Sequence, residues 1–170
     1  MFFNNHNKKG LTIAELLVSI AILSFGLIAI LRLMNFSIIA SRQSKDQIIM
    51  ANLAQEGLEI VRNIYDSGTQ DLFGLPNGTH YTDKVNYDDS MLNLLPPSSP
   101  QPTSPEKLCL NKNDGIYSYR NCGTPDTPYT SYSRVLILNK LDDLIEITSI
   151  VSSKKSSFSL KMKLWKKQTP

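Results

Sequence analysis

The residues best placed to do chemistry stand within eight positions of one another near the start of the chain. Lys8 and Lys9 are followed by Gly10, Leu11 and, four residues on, Glu15. Glu15 is the one charge between Leu11 and Leu31, and Leu16 to Leu31 carries none. At ~1.5 Å per residue the run from Leu11 to Leu31 makes roughly 32 Å of helix, enough for a ~30 Å hydrocarbon layer. A carboxylate in such a segment needs a counter-charge, and an intramembrane acid is by default a functional hypothesis with its partner to be named.

Three readings of this run compete. A cleaved secretory signal has an apolar core of ~7–15 residues followed by small residues at the cut. This run is longer, and "LRLMNFSIIASRQ" supplies no such cut. An ordinary signal anchor accounts for the length, and for Lys8 and Lys9 as residues holding the N-terminus in the cytoplasm, but leaves Glu15 unexplained. A cut between Gly10 and Leu11 explains more residues. It creates an α-amine on Leu11 one helical turn from Glu15, where amine and carboxylate pair within one chain at i,i+4 spacing. The same pair formed between two chains fixes their axial register. Gly10, having no side chain, lets a peptidase approach the scissile bond closely.

"KKG-LTIAELLVSIAIL" resembles the prepilin cleavage and methylation motif of type IV pilins and type II secretion pseudopilins. That motif has a basic leader, glycine before the cut, an apolar first mature residue, glutamate at its fifth position and a long apolar helix. The resemblance implies cleavage at Gly10–Leu11, N-methylation of Leu11 and an assembly role for Glu15. Leu11 departs from the commoner phenylalanine, and no proline lies between Leu11 and Leu75, whereas major pilins often carry one near the end of the span. Ser24 and Gly26 are the points where the helix is expected to soften. "ANLAQEGLEIVRN", residues 51–63, resembles minor pilins of the PilV type.

Organisation follows from periodicity. Residues 1–10 form a cytoplasmic leader, 11–35 a transmembrane and assembly helix, and 36–66 its amphipathic continuation. In the continuation Met50, Ala54, Leu58, Val61 and Tyr65 share a stripe with Ile49, Leu53, Ile60 and Ile64 beside it. Asn52, Gln55, Glu56, Glu59, Arg62 and Asn63 fall on the other side, with Glu59 and Arg62 as an i,i+3 pair. Gly57 interrupts the stripe, where it lets a sheet come close. Asp66-Ser67-Gly68 stops the helix. Residues 67–128, rich in Pro, Gly and Ser, are expected to wrap the surface as loops. "PPSSPQPTSP" favours extended polyproline-like chain, and "NKNDG", 111–115, reads as a turn because its spacing does not fit an EF-hand calcium loop. Residues 129–170 hold three strands, 132–138, 144–151 and 158–165, joined by short polar turns into an antiparallel meander. The fold class is therefore α+β: a long N-terminal helix, membrane-spanning then amphipathic, packed on a small C-terminal antiparallel sheet. The pilin resemblance implies the same architecture.

The remaining candidates are fewer. Cys109 and Cys122 enclose about a dozen residues; outside the cytoplasm they form a disulfide contributing ~3 kcal/mol by loop closure, with free buried thiols as the other reading. His6 and His80 are too far apart for a zinc set, so no metal or cofactor is expected. The net charge is +3; without the first ten residues it falls to about +1, which gives no general case for nucleic acid. Lys154, Lys155, Lys161, Lys163, Lys166 and Lys167 cluster late, with Trp165 exposed among them. They read first as a solvated face that protects an edge strand and second as a strip for DNA, weakened by Asp142, Asp143 and Glu146. No catalytic constellation is present. The expected protein is a minor pilin or pseudopilin, single-pass with its N-terminus in the cytoplasm and its C-terminal domain outside. Its expected partners are a prepilin peptidase, inner-membrane lipid and other pilin or pseudopilin subunits in a pilus, a secretion-type filament or its initiating complex. The alternative is a membrane-anchored DNA-binding or adhesive protein.

Overall fold

Among the described residues a single helix, α1 (Ile13–Ser67), runs for 55 residues and precedes every strand. The computed structural model describes residues 12–82, 84–103 and 105–167. No proline interrupts α1, and it ends where Gly68 turns to φ +67°, donating its N–H to the Tyr65 carbonyl at 3.2 Å. A glycine in the left-handed region is the usual helix stop. The chain divides into two units between Lys45 and Asp46, so the first part of α1 and the sheet domain are separate bodies.

Six strands make one antiparallel sheet: β1 (Gly78–Thr82), β2 (Lys107–Leu110), β3 (Tyr117–Ser118), β4 (Tyr129–Leu141), β5 (Leu144–Ser152) and β6 (Ser157–Trp165). The main path is β3-β2-β4-β5-β6, and β1 also pairs with β4. β4 is 13 residues long and serves as the spine. Its whole second half-edge pairs with β5, Ser133 facing Ser152 and Leu141 facing Leu144. Along its other edge β2 takes the start (Cys109 opposite Tyr129) and β1 the end (Gly78 opposite Lys140).

The expected meander of β4, β5 and β6 is present, with β6 alternating as read: Phe158, Leu160, Met162 and Leu164 turn inward while Lys161, Lys163 and Trp165 are exposed. The loop reading of 67–128 needs correction. That segment supplies β1, β2 and β3, and it buries Leu72, Val85, Leu92 and Leu108. Strands of five, four and two residues are too short for alternation to show; the otherwise unpaired edge of β4 draws in β1 and β2, and β3 adds to β2. The turn at 111–115 is present: Asn111 Oδ1 accepts from Asn113 N at 3.0 Å and Gly115 has φ +74°.

The helix stripe packs as expected. Leu58, Ile60, Val61 and Ile64 meet Leu136, Leu138, Ile145, Ile147 and Leu164. Met50, Leu53 and Ala54 meet Leu108, Tyr132 and Val151. Between these groups sits Gly57. A Cβ there would lie 2.8 Å from Ser149 Oγ, 3.0 Å from Leu136 Cδ2 and 3.1 Å from Arg134 Cδ. The close approach lets Arg134, only 1% exposed, reach α1. Its Nη1 donates to the Leu53 carbonyl at 3.1 Å and its Nη2 donates to the Val85 carbonyl. Glu56 Oε1 is 3.3 Å from Nη1, an ion contact without hydrogen-bond alignment. Glu56 was expected to face away from the sheet; the guanidinium turns it in. The expected Glu59–Arg62 pair is also replaced. Arg62 Nε lies 3.6 Å from Asp66 Oδ2, and Glu59 accepts from Gln55 Nε2 at 2.9 Å. These i,i+4 contacts are exposed and stabilise by only a few tenths of a kcal/mol.

Gly57→Val should therefore destabilise the sheet domain by about 2–3 kcal/mol, because the buried side chains of Ser149, Leu136 and Arg134 leave no room for a branched Cβ. Chemical denaturation of the full chain in detergent, followed by Trp165 fluorescence, measures it; an unchanged midpoint would contradict the close packing.

Candidate functional site

Lys8, Lys9, Gly10 and Leu11 lie outside the described residues. The described site begins at Thr12. Its Oγ1 accepts the Glu15 N–H at 3.3 Å, and its carbonyl accepts the Leu16 N–H at 3.1 Å. Thr12-Ile13-Ala14-Glu15 is thus the sequence of a capping box, with threonine at the N-cap and glutamate three residues on. The signal for it in the sequence is the T-x-x-E spacing of Thr12 and Glu15. Glu15 sits in the first turn of α1, where the helix macrodipole favours negative charge by about 0.3–1 kcal/mol.

Beyond Glu15 every side chain from 12 to 39 is exposed. Ile20, Leu23, Phe25, Leu27 and Leu31 are among them. By length and composition α1 is apolar enough to cross a membrane. The hydroxyls within the run make no demand on solvent. Ser19 Oγ donates to the Glu15 carbonyl and Ser24 Oγ to the Ile20 carbonyl, each at 2.8 Å. In an apolar surrounding this is how such groups are satisfied. The helix stays α-helical through Ser24 and Gly26, without the softening expected there.

The segment enters the sheet domain at Asp46. Tyr132 of β4 donates its hydroxyl to Asp46 Oδ1 at 2.7 Å, and its ring meets Tyr117 edge-on at 6.2 Å between centroids. Burial first, and then the hydrogen bond to the Asp46 carboxylate, push the Tyr132 phenol above its ordinary value of 10.0. Burial also raises Tyr117.

The other candidates are dispersed. Cys109 of β2 and Cys122 are joined as a disulfide, Cα to Cα 5.5 Å. The buried His80 bonds to the Pro76 carbonyl at 3.0 Å; His6 is outside the described residues. Among the described residues no three His, Cys, Asp or Glu gather as a metal site would require. The late lysines do not form one free strip. Lys161 lies 3.8 Å from Glu146, and Lys167 lies 3.3 Å from Asp66 and over the Tyr65 ring. Trp165 is 67% exposed, as expected.

Residues 5–31 match the family described as the prokaryotic N-terminal methylation motif. No curated protein and no solved structure matches the chain.

The Tyr132–Asp46 bond gives a pH dependence of definite sign. The folded phenol holds its proton more tightly than the unfolded one, so stability is full below pH 10.0 and falls as pH rises beyond it. Tyr132→Phe should cost about 1 kcal/mol at pH 7 and flatten the alkaline limb, leaving the part due to Tyr117. Denaturation midpoints from pH 7 to 11 check both; an alkaline limb identical in the variant contradicts the assignment.

Proposed function

We propose that this chain is a minor pilin or pseudopilin: a substrate of a membrane prepilin peptidase that assembles through its N-terminal helix. The observation that carries this reading is the methylation-motif match over residues 5–31, with Glu15 in the first turn of an exposed apolar helix. The sheet domain that follows supports it, since α1 continues from the apolar run into that domain's packed stripe.

The chemistry runs in steps. Lys8 and Lys9 hold the N-terminus in the cytoplasm while the sheet domain crosses to the outside. The peptidase cuts between Gly10 and Leu11, and the new Leu11 amine is methylated. Methylation leaves the amine its charge, so it remains a partner for Glu15. The amine and the carboxylate of a neighbouring subunit then neutralise each other in lipid, which favours insertion beside an existing subunit over dispersal. The exposed apolar residues of α1 become the packing surface within a pilus, a type II secretion-type filament or its initiating complex. No step asks the chain to catalyse anything; it is the enzyme's substrate.

Mass spectrometry of the protein from its native membrane should find Leu11 as the first residue, heavier by one methyl group, about 14 Da. An intact Met1, or a cut elsewhere, overturns the reading. Glu15→Ala should still be cleaved while its incorporation into sheared filaments falls to about a tenth or less; normal incorporation rejects the amine–carboxylate pairing.

A further inference from the structure

At the far end of β4 three side chains meet that the assembly reading does not use. Lys140 is 8% exposed, and its Nζ lies 2.8 Å from Asn77 Oδ1. The Asp142 backbone N–H donates to the same oxygen at 3.2 Å. On the other side of that amide, Asn77 Nδ2 donates to Asp142 Oδ1 at 2.8 Å. The ladder between β1 and β4 holds the pair in place, since Gly78, next to Asn77, faces Lys140 directly. Asp142 has φ +45°, which aims both its N–H and its carboxylate back at Asn77.

We propose that Lys140 and Asn77 form an intramolecular amide cross-link, with Asp142 as the group that moves the proton. The arrangement contains what such a step requires. A primary amine is held by its hydrogen bond 2.8 Å from the oxygen of an amide carbonyl, which raises its effective concentration at that group. The carbonyl oxygen is met by a fixed backbone N–H, which stabilises negative charge as it develops there. A carboxylate touches the nitrogen that must leave.

After giving one proton to water, Lys140 Nζ adds to Asn77 Cγ, and the carbonyl π pair moves onto Oδ1. The surplus proton on Nζ passes to the Asp142 carboxylate and from there to Nδ2. The Cγ–Nδ2 bond then breaks, ammonia leaves with that pair, and the carbonyl re-forms. Counting the proton first lost by Lys140, an ammonium and an amide become a secondary amide and an ammonium ion. The step needs no oxidant, reductant or cofactor. Its product ties the start of β1 to the end of β4, where the ladder otherwise depends on hydrogen bonds alone.

The test is peptide mapping of the full chain purified in detergent. A cross-linked Lys140 resists trypsin, so segment 63–84 should travel joined to segment 135–154, lighter by one ammonia, about 17 Da. Asp142→Asn keeps a residue that tolerates positive φ but removes the carboxylate, and Lys140→Met keeps the bulk but removes the amine. Asp142→Asn should yield 63–84, 135–140 and 141–154 as separate peptides, and Lys140→Met should yield 63–84 and 135–154 unjoined. Separate segments from the natural chain overturn the proposal. A succinimide at Asn77–Gly78 has the same mass loss but leaves Lys140 open to trypsin, and finding it also overturns the proposal. Persistence of the cross-link in Asp142→Asn overturns the role of Asp142.

Discussion

The sheet domain depends on one close approach, between α1 at Gly57 and the middle of β4 and β5. Any side chain at that position would drive into Ser149, Leu136 and Arg134. Its absence does more than save space. In an α-helix the residue four places on partly covers a carbonyl, so glycine at 57 leaves the Leu53 carbonyl open on the sheet side. Arg134 uses that opening and bonds to it. The other arm of its guanidinium holds Val85, so one buried cation joins the helix, the spine of the sheet and the segment after β1. The main chain of Arg134 is braced as well, since its N–H and C=O both meet the Tyr119 hydroxyl at 3.1 Å.

This contact fixes which residues of α1 from Asp46 onward face the sheet. From Met50 to Ile64 the buried positions follow the helical period. Towards the N-terminus the same helix has no such buried face, and residues 12–39 are exposed. Composition follows the change. Charges return at Arg32, Arg42, Lys45 and Asp46, and at Asp46 the Tyr132 hydroxyl takes hold of the helix. A continuous α-helix costs nothing extra when its surroundings change from lipid to protein, because its backbone bonds are internal in both.

The parts legible in the sequence are those where a local period reports a buried face. The stripe of α1, the alternation of β6 and the polar turns around β5 belong here. β1, β2 and β3 were not legible, because β1 and β2 depend on the free edge of β4, and β3 on β2, rather than on any pattern of their own. Arg134 was hidden for a related reason. In "YSRVLIL" it occupies the inward register with Tyr132 and Leu136, but an isolated arginine reads as solvent-facing, and only the opening at Gly57 reverses that. At the N-terminus the methylation motif was legible around Glu15, and Thr12 adds to it the T-x-x-E capping pattern.

Thr12 sharpens the case for Glu15. A glutamate at this place in a capping box has an ordinary reason to exist, worth about 0.3–1 kcal/mol through the helix dipole. Were the helix in water, that would suffice. In the middle of a bilayer a carboxylate costs about 2.5–3.5 kcal/mol on insertion scales, and less near the end of the span. Capping therefore offsets at best part of the cost once the segment lies in lipid. A full positive charge at about 4 Å is worth on the order of 4 kcal/mol at an effective dielectric of 20, and that closes the gap. No cationic side chain is available nearby in the described helix, since Arg32 lies 17 residues beyond Glu15 and so about 25 Å along the axis. An α-amine at Leu11, which the proposed cleavage would create, would supply a charge of that magnitude.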